Sequence, residues 1–380
     1  MKLFHCTHCH QRVFFENLRC ESCGSSLGFV ASEREMVAFS ANSDGAGEWL
    51  RLGVPGPAQR PCANYAAEGV CNWMVAADDP VSLCLSCRTT HTIPALGKPE
   101  NRTSWGALEQ AKRRVFYTLL SLSLPAPNLD ADPVNGVSFQ FLEDVSPQQR
   151  VLTGHDEGVI TLNIAEADDA QREQMRTAMH EPYRSLVGHF RHELGHYYWD
   201  RIIAGSVWLD ECRQLFGDER IDYEQALQHH YANPTPDWRT SFISAYASSH
   251  PWEDWAECWA HYLHMIDGLE TAAAWGLRLD HATPAGSPLQ AFAVDPAAPS
   301  IELSLIQQWL PISQFSNAMN RSLGLKDSYP FVVPAPVVAK LDFIHRVVGA
   351  ATRGEMPMRF LPRPAAALAA AVTVAEPVTP

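Results

Sequence analysis

Residues 192–196 read His-Glu-Leu-Gly-His, and a later segment reads Glu253-Asp-Trp-Ala-Glu257. On a helix, His192 and His196 are four apart and project from one face, close enough for both imidazoles to bind one cation. Glu193 then lies beside that cation. Two neutral imidazoles and one carboxylate give Zn²⁺ three ligands and leave the fourth position of a tetrahedron open. A carboxylate next to that position can take a proton from water that the metal has made acidic. The spacing therefore points to a zinc-dependent hydrolase. The extended motif with a third histidine is absent, because Ile202 and Trp199 stand where it would place histidine and glycine. The third ligand must come from elsewhere. Glu253 and Glu257 are four apart, so on one helix one can reach the metal while the other hydrogen-bonds the free nitrogen of a ligand histidine. Spacing alone leaves open which does which.

A second chemistry lies in the cysteines. Cys6 and Cys9, then Cys20 and Cys23, form two C-x2-C pairs, with Val13-Phe14-Phe15 between them as strand material and Gly24 after the second. Two such knuckles facing each other place four thiolates at tetrahedral positions, as in a zinc ribbon. So short a unit buries too little apolar surface to fold alone, so the metal supplies most of its folding free energy. Cys62, Cys71, Cys84 and Cys87 form a looser set in which only the last pair has knuckle spacing. They read as a second four-cysteine zinc site, the alternative being that Cys62 and Cys71 are buried small hydrophobes. Cys212 and Cys258 fall in helical patterns and read as core thiols.

These groups need rigid supports. Pro182 can open a helix whose one side carries Leu186, Phe190 and Tyr197 and whose middle carries the two histidines. Pro251 can open the helix of Glu253, with Ala256, Trp259, Ala260, Leu263 and Ile266 inward and Gly268 as its stop. Asp254 is then a first-turn acid favoured by the helix dipole. Ahead of the histidines, Ile160, Leu162 and Ile164 alternate with Thr161 and Asn163 as in a half-buried strand. That strand is either an edge that captures extended peptide or a plain core strand. Trp105, Leu108, Ala111, Val115, Leu119 and Leu122 mark a long helix, with Lys112-Arg113-Arg114 largely off its apolar stripe as a solvated face. Further helices are expected over Leu209–Phe216, Tyr223–His230, from Trp238 through Phe242 to Tyr246, and over 301–323 and 336–349. Residues 40–61, rich in Gly, Pro and Ser, read as a connecting loop, and 273–300 as another. His189 reads as structural, and Asp200 as a helix ion pair.

Composition narrows the classes further. The 380 residues are 46% hydrophobic, enough for a large core. Lys and Arg number 29 against 43 Asp and Glu, a net charge of −14, which repels nucleic-acid phosphates and anionic lipid. Only Lys2, Arg12 and Arg19 lie near the first ribbon, against Glu16 and Glu21, so a nucleic-acid partner is not expected. No apolar run reaches the length of a membrane span. The N-terminal residues lack the apolar core of a secretion signal, so the expected compartment is the cytoplasm.

The acidic segment resembles that of gluzincin metallopeptidases, in which E-x-x-x-[DE] places its first carboxylate on zinc and its second behind the ligands. Glu253-Asp-Trp-Ala-Glu257 is most similar to the form found in lethal-factor-type toxin peptidases. That resemblance implies Glu253 as the ligand and Glu257 as its support. Those peptidases also carry a tyrosine seven residues before the glutamate ligand, to stabilise the oxyanion or protonate the leaving amine. Tyr246 stands there, and His250 is a competing donor. From residues 4 to 348 the chain resembles a bacterial family of zinc-ribbon, zinc-binding metallopeptidases. The likeness is carried by Cys62-Ala-Asn, Cys71-Asn-Trp73, Ala111-Lys-Arg-Arg114, Asn163-Ile-Ala-Glu-Ala-Asp168, Phe190-Arg-His-Glu-Leu-Gly-His-Tyr-Tyr-Trp-Asp200, Asn320-Arg-Ser322 and Tyr329-Pro-Phe331.

The expectation is an α+β chain: a mostly helical, zincin-like metallopeptidase domain over 100–350, preceded by two small four-cysteine zinc modules. The ribbon would span 1–30, a linker 31–61, the second module 62–99 and a disordered tail 351–380. One catalytic and two structural zinc ions are expected, with Glu193 as general base and a peptide or protein as substrate. The ribbons could also grip a protein partner. The other reading is a zinc-binding scaffold without catalysis, whose ribbons mediate protein or nucleic-acid interaction.

Overall fold

Ring stacking ties the first hundred residues to the rest of the chain. In the computed structural model, which describes residues 1–40, 47–144, 146, 149–178, 184–280 and 287–355, Phe4, Phe15 and Phe29 pack with Tyr117 and Trp73 packs on Phe15 and Phe29, centroids 4.8–6.3 Å apart. These rings come from the ribbon, the following sheet, the second cysteine module and a helix of the large domain. They belong to one continuous core.

The ribbon is a hairpin of β1 (Phe4–His5) and β2 (Arg12–Val13). Each knuckle ends in a residue with left-handed backbone, His10 at φ 62° and Gly24 at φ 75°, which folds its amide back on Cys6 and Cys20 O, 2.8 Å in both cases. β3 (Ser26–Val30), β4 (Glu35–Ser40) and β5 (Leu50–Leu52) then form an antiparallel sheet. The segment read as a linker over 31–61 thus contains the strands β4 and β5. The apolar residues of Ser26–Val30 and Glu35–Ser40 supply two strands, and the Gly, Pro and Ser content marks the turns between strands. Gly28 of β3 has no room for a side chain, since a Cβ there would lie 2.3 Å from Met74 Sδ.

β6 (Gln59–Pro61) pairs with β7 (Met74–Ala76) around a single helical turn, α1 (Ala63–Ala66). β8 (Thr90–Thr92) leaves the second cysteine module and joins the sheet of the large domain. α2 (Pro99–Ser121) carries the basic triplet, and here the expectation of a solvated face fails. Lys112 is fully buried in an ion pair with Glu109, 3.1 Å, and lies over the rings of Phe139 and Phe141. Arg113 is buried and donates to Val70 O, 2.7 Å. Only Arg114 is exposed, paired with Glu16 of the ribbon at 2.5 Å. The second cysteine module covers the helix face that a sequence pattern assigns to water.

In the large domain β9 (Ser138–Leu142), β10 (Gly154–Asp156) and β11 (Val159–Asn163) complete a sheet of order β10-β11-β9-β8. β11 is the alternating strand read from sequence, but it is interior: β10 turns back antiparallel beside it and takes the edge. The helices follow: α3 (Asp169–Ala178), α4 (Leu186–Tyr198), α5 (Leu209–Phe216), α6 (Tyr223–Ala232) and α7 (Pro251–Ala274), then α8 (Glu302–Ser304), α9 (Leu310–Ser322) and α10 (Ala335–Thr352). α7 runs through the middle, against α4, α5 and α10. It does not stop at Gly268, which is a packing site: a Cβ there would lie 2.5 Å from the Trp309 ring.

Two other expectations fail. No helix joins Trp238 to Tyr246; that segment makes two short turns, Trp238–Thr240 and Tyr246–Ser248. Ser244 Oγ accepts from Ala247 N at 3.0 Å, the local side-chain bond by which serine competes with helix. The loop over 273–300 contains a small hairpin of β12 (Arg278–Leu279) and β13 (Leu289–Gln290). The tail expected from 351 lies outside the described residues beyond 355, and its first residues continue α10. Among the described residues no helix is long and apolar enough to cross a membrane.

Candidate active site

α4 begins at Ser185, whose Oγ accepts from Gly188 N at 3.1 Å, the capping bond expected of serine there. Pro182 lies outside the described residues. α7 begins at His250, whose Nδ1 accepts from Trp252 N at 3.0 Å, with Pro251 in the first turn. The two helices cross at Gly195 and Ala256, where small residues let the backbones approach, and Trp255 Nε1 donates to Gly195 O at 2.9 Å. That crossing brings Glu253 and Glu257 alongside His192 and His196.

Three donor atoms converge. Glu253 Oε2 lies 3.0 Å from His192 Nε2 and 3.5 Å from His196 Nε2, and the two nitrogens are 3.2 Å apart. A tetrahedral zinc with bonds of about 2.0 Å has donor atoms about 3.3 Å apart, so the triangle has the size of one face of that tetrahedron. Glu253 is 1% exposed, and its Oε2 accepts no hydrogen bond. An acceptor so deeply placed and so unsatisfied, facing two imidazole nitrogens, fits a cation.

Behind this triangle Glu257 Oε1 meets His192 Nδ1 at 2.8 Å, and Glu257 Oε2 accepts from Ser244 Oγ at 2.6 Å. The bond fixes the His192 ring with Nε2 inward. The His196 ring is held by Trp252, 4.0 Å between centroids. Burial would lower His192, but Glu253 and Glu257 hold it well above the usual histidine range. Burial lowers His196 and pushes Glu193 up to about 7. Burial also opposes ionisation of Glu253, yet His196 and His192 hold it well below the usual range.

The remaining expected residues divide. Tyr246 stands at the site, its ring 6.0 Å from that of His192. Both ring nitrogens of His250, the competing donor, are engaged in the fold: Nδ1 accepts from Trp252 N and Nε2 donates to Ile221 O at 3.2 Å. Asp254 does stand in the first turn of α7, where it is fully buried and 2.5 Å from Lys340. His189 pairs with Glu166. Sequence reasoning missed Tyr223, whose hydroxyl donates to Glu253 Oε1 at 2.6 Å, and also Ser244 and Trp252. Nothing in their spacing relates them to the histidines.

The cysteines gather into their two sets, Cys6 with Cys9, Cys20 and Cys23, and Cys62 with Cys71, Cys84 and Cys87. Sulfur separations of 3.6–3.8 Å match the roughly 3.8 Å expected of thiolates at about 2.3 Å from one zinc. The four cysteines of the second set are buried, and Cys87 Sγ lies 4.0 Å from Glu109 of α2.

A family model described as "Putative zinc-binding metallo-peptidase" matches residues 101–347. The chain belongs to that family. A zinc-ribbon domain model matches residues 3–98, spanning both cysteine sets and the sheet between them. Uncharacterized proteins of two Mycobacterium tuberculosis strains and of Mycobacterium bovis are each 44% identical over 351 residues, 92% of this chain and 95% of theirs. No solved structure matches.

Proposed function

We propose that this chain is a zinc-dependent peptidase of gluzincin type, with His192 Nε2, His196 Nε2 and Glu253 Oε2 as the metal ligands. The observation that carries the reading is the triangle of those three atoms, sized for one cation and formed by an unsatisfied carboxylate oxygen. Zinc held there lowers the pKa of water and polarises a carbonyl. Glu193, next to His192 on the same helix, takes the proton as the water oxygen bonds to the peptide carbonyl carbon. It returns that proton to the nitrogen as the C–N bond breaks. Tyr246 donates to the carbonyl oxygen as negative charge builds on it. Glu257, held by Ser244, keeps the His192 ring in place.

Substrate enters along β10. This strand is the sheet edge next to the site: the ring of its His155 stands 6.1 Å from that of His196. An extended peptide can add to that edge by backbone hydrogen bonds and so cross the ligands. The two cysteine sets bind structural zinc, and a protein partner could dock on the ribbons.

The test is digestion of a mixed peptide library, read by mass spectrometry. The zinc-loaded protein cleaves, and Glu193→Gln cleaves at least a hundredfold more slowly while retaining its zinc. Equal cleavage by both proteins contradicts the reading.

A further inference from the structure

The phenol of Tyr223 donates its 2.6 Å hydrogen bond to Oε1 of Glu253, while Oε2 of the same carboxylate faces His192 and His196. We propose that Tyr223 is a positioning residue of the metal site: it holds one carboxylate oxygen of Glu253 so that only the other is offered to the cation. The proposal rests on the ligand assignment made above. The terminal torsion of a glutamate is broad, so a free carboxylate can present either oxygen or both. Binding through both oxygens would occupy the position that water or substrate needs. A phenol on Oε1 removes that freedom.

The fold delivers this phenol from the start of α6 to the start of α7, which carries Glu253. Tyr223 is the first residue of α6, capped by Asp222, whose carboxylate accepts from Gln225 N at 2.8 Å. Just ahead of it, Ile221 O accepts from His250 Nε2, and His250 is the cap of α7. The Tyr223 ring stands edge-on to His250 at 5.1 Å and to Trp252 at 6.1 Å. His250, a catalytic candidate by sequence, thus clamps the segment that brings Tyr223 to Glu253. α6 has no buried residue, so removing one hydroxyl from it leaves the core unaltered.

The test uses the full chain with both four-cysteine sites loaded. Zn²⁺ affinity at the histidine site is measured by competition with a chromogenic chelator, and the visible spectrum of Co²⁺ is recorded at the same site. Tyr223→Phe is expected to weaken zinc binding about tenfold to a hundredfold, as loss of a ligand's hydrogen-bond partner typically does, and to change the cobalt bands. Tyr231→Phe, on the exposed end of the same helix, should match the parent in both. Unchanged affinity and spectrum in Tyr223→Phe overturn the proposal, as does an equal loss in Tyr231→Phe. Should Tyr223→Phe weaken zinc as expected while the parent cleaves no peptide, the positioning role stands and the peptidase reading falls. A parent that takes no metal at this site overturns both.

Discussion

A Cβ on Gly195 would lie 2.9 Å from the Cα of Ala256. This contact sets how closely the histidine helix approaches the glutamate helix, and so whether three ligand atoms can meet. Gly195→Val forces the helices apart. The variant is expected to lose zinc from the histidine site and its hydrolysis, and to be destabilised by about 1–3 kcal/mol. Zinc content and urea unfolding check both. A fully metallated, active Gly195→Val protein would show that the crossing does not control the site.

The Asp254–Lys340 pair joins α7 to α10, with both groups buried and Lys340 also donating to Ser241 O at 3.0 Å. Removing one partner strands the other charge. Lys340→Met should cost about 3–5 kcal/mol, and the double variant Asp254→Asn, Lys340→Met should recover part of that loss. Denaturant unfolding of the four proteins of this cycle measures it. A Lys340→Met protein as stable as the parent contradicts the structural role of the pair.

The two cysteine sites should respond differently to the same change. Cys9 and Cys23 are partly exposed, whereas all four cysteines of the second set are buried and Cys87 touches Glu109 of α2. Cys20→Ser is expected to release one zinc and loosen the ribbon while the histidine site keeps its metal. Cys84→Ser should also lower the unfolding temperature of the large domain. Equal effects on that domain would show the two sites to be equivalent supports.

Glu166 connects α4 to the sheet region. Burial opposes its ionisation, but His189, Arg184 and Thr153 together hold the carboxyl at about 2, below its ordinary 4.5. A depressed carboxyl stabilises the fold above its unfolded pKa and loses that contribution as pH falls through the folded value. The linkage is about 3 kcal/mol, fully present above about pH 4.5 and fading toward about pH 2. The stability gap between parent and Glu166→Gln should therefore narrow over that acid range. A gap independent of pH contradicts the assignment.

Much of the chemistry was legible because it is local. The His192–His196 spacing and the knuckles at Cys6, Cys9, Cys20, Cys23, Cys84 and Cys87 are patterns of a few residues, and helix and turn geometry decide what they do. Glu253 was reached through a resemblance, since no periodicity connects it to the histidines. Tyr223 was missed because its link to Glu253 exists only after α6 and the start of α7 meet. Lys112 and Arg113 were misplaced for a related reason: they are charged residues off an apolar stripe, and only the second cysteine module, folded over α2, shows that their face is covered. The short apolar runs of β3 and β4 were not read as strands, and over 40–61 the Gly, Pro and Ser content hid β5.

The account's central claim is that His192, His196 and Glu253 hold one zinc in addition to the two sets of thiolates. The most direct test is zinc per chain, by mass spectrometry of the purified, reduced protein beside its His196→Ala variant. The account predicts three zinc ions in the parent and two in the variant, with both cysteine sets still protected from thiol reagents. Two in the parent, or no difference between the proteins, would contradict it.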